Sequence, residues 1–139
     1  MGAHIPAGGA KRPASRETVD QGEHYVRVDG RKEIFAHFLR FTREACDQVL
    51  AEARMSLADI DLFITHQGNS NMVRMVLDEL GIPRAKGVDN IADHGNTSGA
   101  TVPIALAEAW ESGRIGRGAN VLMTSVGAGY TFGAAIHRF

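Results

Sequence analysis

The sequence predicts an α/β domain with a mixed, mostly parallel sheet and helices on its faces. Segments with helical spacing alternate with short apolar segments typical of strands, in the order βαβαβαββ. The last two strands follow each other across a glycine turn, which adds one antiparallel pair to the sheet. The 139 residues, 44% of them hydrophobic and 22% charged, are enough for one buried core.

The N-terminal region predicts an arm followed by a strand. Residues 1–22 are interrupted by prolines and glycines and have little apolar patterning, so an extended, loop-like arm is expected. Apolar and polar side chains alternate over residues 24–28 before the turn residues Asp29 and Gly30, which predicts a short strand. The globular domain is therefore expected over residues 23–139.

The middle of the chain has the most regular pattern. Apolar residues recur at three- and four-residue intervals from Arg31 to about Met55, which predicts a helix with one buried face. Residues 56–59 resemble a capping box, and the apolar run at 60–65 suits a buried strand. A second helix is predicted over residues 69–80.

The C-terminal part predicts a third helix and the closing hairpin. A weak strand is expected near residues 86–91, before a helix over residues 97–112 that is rich in small side chains. Strands at residues 120–126 and 130–138 flank the turn Gly127-Ala128-Gly129.

Charge and cysteine content exclude several classes of protein. The 15 Lys and Arg residues balance 16 Asp and Glu residues and are scattered, which argues against a nucleic-acid surface. The single cysteine, Cys46, lies on the apolar face of a predicted helix, so we expect it to pack in the core. No apolar run is long enough to cross a membrane. We expect a cytoplasmic protein without a metal or cofactor.

Candidate functional residues follow three of the predicted strands. His66 comes directly after the strand at 60–65, Asn96 precedes the third helix, and Gly127-Ala128-Gly129 follows the strand at 120–126. Ligands of such sheets gather at the carboxyl ends of the strands. Each position also has a structural interpretation: a lone histidine is more often structural, Asn96 suits a helix N-cap, and the glycines suit a hairpin turn.

Three motifs occur in register along the chain. They are His66-Gln67-x-Asn69, then His94-Gly95-Asn96-Thr97-Ser98, then Gly127-Ala128-Gly129-Tyr130-Thr131-Phe132-Gly133. Together they resemble the C-terminal half of the β-ketoacyl-acyl carrier protein synthase III family, of the thiolase superfamily. The earlier stretches 6–9, 12–13 and 28–31 are similar too, so the resemblance covers nearly all of the chain. It implies one of two similar βαβαβαββ halves that pack together.

The resemblance implies a condensing enzyme that joins an acyl thioester to a malonyl thioester with loss of CO₂. His66 and Asn96 would complete a Cys-His-Asn site and stabilise the enolate, while the cysteine nucleophile would come from an N-terminal half. The backbone of Gly127, Ala128 and Gly129 would form a separate oxyanion hole. The implied partners are that N-terminal half, acyl-CoA, a malonyl thioester and acyl carrier protein.

Two departures from the family pattern bear on these roles. Ala128 stands where many relatives have glycine. Asn71 stands where bacterial fatty-acid members often have an arginine used in carrier docking, and Arg74 lies one turn on. Asn71 and Arg74 are therefore weak candidates for carrier docking.

Two other functions stay open at this stage. The chain could be a non-catalytic scaffold or dimerisation module of a synthase complex, or a thiolase-like acyltransferase that uses an oxygen or nitrogen acceptor. A half-fold by itself would expose a large apolar face, so we expect a homo- or hetero-oligomer in each case.

Overall fold

The computed structural model describes residues 2–139, which divide into two compact units with the boundary after Ala36. In the first unit, β1 (Ala3–His4) pairs antiparallel with β2 (Arg27–Val28), and α1 spans Arg16–Asp20. The expectation of an element-free arm over residues 1–22 is wrong, and the strand expected at 24–28 shrinks to two residues. The predicted domain boundary after residue 22 stays a prediction.

Polar contacts explain the structure within this N-terminal region. The side chain of Ser15 accepts the backbone N–H of Thr18, while the Thr18 hydroxyl accepts that of Ser15, which closes a capping box. Thr18 also contacts Nε2 of His24 at 2.9 Å. Such short-range bonds order a chain segment without any apolar periodicity, so hydrophobic spacing could not reveal α1.

Two predicted helices are confirmed nearly at their expected bounds. Helix α2 spans Arg31–Ala53 and contains the unit boundary, and α3 spans Ser70–Leu80. Asn69 caps the start of α3 with its side chain, and Gly81 ends it in the left-handed conformation with φ of 68°. Between these helices, the capping box at residues 56–59 opens a short 3₁₀ turn over Leu57–Asp59, as expected.

The second unit is organised around a mixed sheet of three strands within the described residues, in the order β3-β4-β5. Strand β3 (Leu62–Thr65) runs parallel to β4 (Asn120–Gly127), which pairs antiparallel with β5 (Thr131–Arg138). All four residues of β3 are buried, so both faces of this strand are covered, as expected of a sheet with helices on its faces.

The strand predicted near residues 86–91 is not formed. Arg84–Lys86 is a 3₁₀ turn, Gly87 makes a single parallel bridge to Phe63, and a short helix, α4, spans Ile91–His94. The buried side chain of Gln67 hydrogen-bonds the backbone of residues 88 and 90. These bonds take up backbone groups that a longer strand would have presented to β3.

The third large helix starts later than predicted. A 3₁₀ turn occupies Ser98–Ala100, and α5 spans Thr101–Glu111. Ala105 and Ala109 are almost completely buried and belong to a core cluster with Leu62, Ile64 and Val121 of the parallel strands. Small side chains thus let α5 approach β3 and β4 closely, and this packing places Thr101 near the end of β3.

Within residues 2–139, no helix is long and apolar enough to cross a membrane.

Candidate active site

His66 lies immediately beyond the carboxyl end of β3. Its backbone N–H donates to the carbonyl of Thr124 at 3.0 Å, which extends the β3–β4 ladder by one residue. One residue earlier, the buried hydroxyl of Thr124 donates to that of Thr65 at 3.0 Å. The sheet therefore fixes the backbone from which the imidazole projects.

Gln67 holds the next step of the chain from inside the protein. Its side chain is 1% exposed, and its Nε2 donates to the carbonyls of Thr65 and Val88 at 2.8 and 3.1 Å. Its Oε1 accepts the backbone N–H of Asn90 at 3.2 Å. The sequence pattern by itself assigns Gln67 no role, although its place beside His66 in the first motif indicated a residue of the site. The side chain ties the end of β3 to the segment that leads towards Asn96.

The imidazole of His66 is half-buried and contacts α5. Its Nδ1 lies 2.7 Å from Oγ1 of Thr101, the first residue of that helix. Burial lowers the pKa of His66 below its ordinary value, because the low-dielectric surroundings disfavour the imidazolium. The lowered pKa favours the neutral ring, which suits a hydrogen-bonding rather than an ionic role.

Asn96 has its amide oriented by the turn that follows it. Its Oδ1 accepts the backbone N–H of Ser98 at 2.9 Å, so its Nδ2 is the group left to donate. The N-cap interpretation is close to this geometry, since the side chain stabilises the 3₁₀ turn that precedes α5. The capping bond uses only the oxygen, so this geometry is compatible with a second role for the nitrogen.

Gly68 marks the point where the two nitrogens converge. A Cβ atom built on this residue would lie 3.2 Å from Nε2 of His66 and 3.9 Å from Nδ2 of Asn96. The structure thus brings together the two side chains that the sequence picked out, 30 residues apart in number, around one space that glycine keeps open. Their catalytic roles stay predictions.

The glycine loop lies at the same end of the sheet as His66, because β3 and β4 are parallel. Gly127, Ala128 and Gly129 are exposed; Gly127 ends β4, and Ala128 and Gly129 lie in the turn to β5, so the hairpin-turn interpretation is correct as a description of the backbone. Gly129 has a φ of 138°, a value that residues with a side chain rarely adopt, whereas Ala128 has no positive φ. The alanine therefore fits this loop, and the oxyanion role stays a prediction.

The candidate docking residues lie on the first turns of α3. Asn71 is exposed, and its backbone N–H donates to Oδ1 of the cap residue Asn69 at 2.9 Å. Nε of Arg74 lies 3.6 Å from Oδ2 of Asp89, and the other carboxylate oxygen of Asp89 accepts from the hydroxyl of Ser70. Arg74 therefore already has an acidic partner within this chain.

A second polar cluster supports the segment before Asn96. Asn90 donates to Oε2 of Glu108 at 2.6 Å, and Nε2 of His94 contacts the other carboxylate oxygen. The hydrogen bond from Asn90 has the larger effect and the contact with His94 adds to it, and together they hold the pKa of Glu108 below its usual range. Sequence reasoning found no partner for His94, because Glu108 lies on α5 and only the tertiary fold brings it near.

Comparison with known proteins identifies the family of this chain. The family model for the 3-oxoacyl-(acyl-carrier-protein, ACP) synthase III C terminal matches residues 50–139. A beta-ketoacyl-(acyl-carrier-protein) synthase III of Koribacter versatilis is 38% identical over 136 residues, which are 98% of this chain and 40% of that protein. The corresponding synthase of Solibacter usitatus is 41% identical over 135 residues, 97% of this chain and 40% of the relative.

Solved structures give the same result. The 3-oxoacyl-(acyl-carrier-protein) synthase III of Aquifex aeolicus aligns with a TM-score of 0.80 at 40% identity, over 84% of this chain and 37% of that one. The synthase III of Pseudomonas aeruginosa aligns with a TM-score of 0.80 at 32% identity, over 91% and 38% of the two chains. The chain therefore spans about 40% of the length of the curated relatives that it matches.

Proposed function

The chain belongs to the 3-oxoacyl-ACP synthase III family, as its motifs suggested, and we propose that it acts as the C-terminal catalytic half of a condensing enzyme. The proposed reaction joins an acyl thioester to a malonyl thioester and releases CO₂. The observation that carries the proposal is the convergence of Nε2 of His66 and Nδ2 of Asn96 on the space above Gly68.

This pair of nitrogens suits the decarboxylation step. When the bond between the malonyl α-carbon and its carboxylate breaks, the electron pair moves into an enolate whose charge rests on the thioester oxygen. Two neutral N–H donors stabilise that oxygen without giving up a proton, and one such preorganised donor typically contributes about 3–4 kcal/mol to lowering the barrier. The lowered pKa of His66 keeps its ring neutral for this role.

The enolate carbon would then attack the carbonyl of an acyl group held on a cysteine. The new C–C bond forms as the C–S bond breaks, and the thiolate leaves. Cys46 is unsuited to act as this nucleophile, because it is fully buried and burial raises its pKa to about 12. We propose that an N-terminal half of the enzyme supplies the nucleophile and that the two halves associate.

Two further features of the chain belong to the proposed reaction: the glycine loop, and the surface of α3 that carries Asn71 and Arg74. Backbone N–H groups of the loop Gly127-Ala128-Gly129 would hold the oxyanion of the acyl-transfer step, which is chemically separate from the enolate. The relatives are named for acyl carrier protein. Since Asn71 is uncharged and Arg74 is paired with Asp89, we propose that carrier docking through these two residues is weak in this protein.

Reconstitution tests the proposed reaction. The chain would be combined with the N-terminal part of the Solibacter relative and supplied with acyl-CoA and a malonyl thioester, with CO₂ release as the readout. His66→Ala and Asn96→Ala should each lower the rate by about 100-fold or more. His137→Ala is the control and should leave the rate unchanged, because His137 lies near the end of β5 that is far from the glycine loop.

The same assay separates the alternatives. Wild-type rates in both His66→Ala and Asn96→Ala would contradict the site. A thiolase-like acyltransferase would transfer the acyl group to an oxygen or nitrogen acceptor without releasing CO₂. A scaffold would bind the N-terminal part yet leave every rate independent of both side chains.

A further inference from the structure

We propose that the hydroxyl of Thr101 sets the tautomer of His66 by donating a hydrogen bond to Nδ1, so that Nε2 carries the ring hydrogen. The inference rests on the proposed function, because only the Nε2–H form can donate to a thioester oxygen. Thr101 touches no reacting atom in this scheme, and it is therefore a positioning residue.

The Thr101 hydroxyl has two neighbours but only one proton. Its oxygen lies 2.7 Å from Nδ1 of His66 and 3.0 Å from the carbonyl of Ser98. If the proton went to Ser98, the oxygen would accept an Nδ1–H from His66 instead. The neutral ring would then present a bare Nε2, which accepts hydrogen bonds and cannot stabilise an enolate.

The distances favour donation to His66. Hydroxyl donors typically lie about 2.7–2.8 Å from their acceptors, whereas N–H donors lie about 2.9–3.0 Å away. The contact with Nδ1 matches a hydroxyl donor, and the contact with the Ser98 carbonyl is long for one.

The Ser98 carbonyl does not need the hydroxyl. It already accepts the backbone N–H of Thr101 within the turn that precedes α5. Donation to His66 therefore leaves the Ser98 carbonyl paired with a backbone N–H. Because Thr101 is only 2% exposed, water has little access to its hydroxyl and cannot readily replace it.

The placement follows from the fold rather than from the local sequence. Thr101 is the first residue of α5, and the buried Ala105 and Ala109 bring that helix against β3, whose end carries His66. Asn96, in the same segment, orients its own nitrogen through Ser98. The turn between Asn96 and α5 thus orients both proposed donors.

Nitrogen-15 NMR of the imidazole rings tests the proposal on this chain without substrate. The His66 signals would be assigned by their loss in His66→Gln, and spectra recorded well above the pKa of the ring. We expect a protonated Nε2 and an unprotonated Nδ1 in the wild type and in Thr101→Ser, and a mixture of tautomers in Thr101→Val. Thr42→Val, which alters another buried threonine, should leave the His66 signals unchanged.

Two results would overturn the proposal. One is a wild-type ring with its proton on Nδ1; the other is an unchanged tautomer in a folded Thr101→Val variant. In a reconstituted synthase, Thr101→Val should lower kcat by about threefold to tenfold with a smaller change in KM, and Thr101→Ser should retain the rate. Since the tautomer is measured without substrate, failure of the condensation assay would refute the proposed function and leave the NMR result standing.

Discussion

Replacing Gly68 with alanine should separate the candidate site from the stability of the fold. The added methyl carbon would lie 3.2 Å from both Cδ2 and Nε2 of His66, so the ring would have to move by a few tenths of an ångström. Gly68 has no positive φ, and Gly→Ala at a compatible backbone stabilises proteins by about 0.4–1 kcal/mol through the unfolded chain. The crowding and this gain oppose each other, so we expect the unfolding free energy to change by less than about 1 kcal/mol.

The effect on the reaction should be much larger. The methyl group would occupy the space on which Nε2 of His66 and Nδ2 of Asn96 converge, which is where the thioester oxygen would lie. A misplacement on the order of 1 Å can cost about 100-fold in rate, and we expect kcat for CO₂ release to fall by about that factor. Gly116→Ala is the matched control, because in the described part of the chain nothing lies within 4 Å of its Cβ position.

The measurements are urea denaturation of the chain and CO₂ release by the reconstituted synthase. Loss of rate with stability unchanged, together with a normal Gly116→Ala, would support the site. A Gly68→Ala variant with the wild-type kcat would contradict the proposed site, as would a loss of rate that merely followed unfolding.

Three further predictions follow from burial and hydrogen bonding. Burial lowers the pKa of His66 in the folded protein, so as the pH falls the unfolded chain binds this proton before the folded chain does. The contribution of His66 to stability should therefore be complete above about pH 6.5 and decline below it. The urea midpoint should fall less steeply with pH in His66→Gln than in the wild type. Gln67→Leu should lower the unfolding free energy by about 2–4 kcal/mol, since it leaves buried backbone groups unpaired. A change below about 1 kcal/mol by urea titration would contradict this role of the Gln67 hydrogen bonds. Cys46, with a pKa of about 12, should react with thiol reagents only as the chain unfolds, so labelling of the native chain at the rate of the urea-unfolded chain would be inconsistent with its burial.

Periodicity predicted the long elements well. Helices α2 and α3 and the strands around the glycine turn lie within a few residues of their expected bounds, because each has an apolar pattern that is readable along the chain itself. Residues 1–22 and 86–91 were predicted wrongly for a common reason. Side chains rather than apolar spacing determine their backbone. Ser15 and Thr18 cap the first turn of α1, and the side chain of Gln67 hydrogen-bonds the backbone of residues 88 and 90.

The sequence alone determined the family, the mixed α/β fold, and the choice of His66 and Asn96 as the candidate pair. Those inferences need only residue types in order, since motifs and hydrophobic periods are properties of the chain. The tertiary structure alone decided how that pair is arranged. The contact from Thr101 to the His66 ring spans 35 residues, and atoms of His66 and Asn96 lie within 4 Å of the Cβ position of Gly68. Hydrogen-bond direction, burial and free space depend on distances between separate elements, and these exist only once α5 has packed against β3.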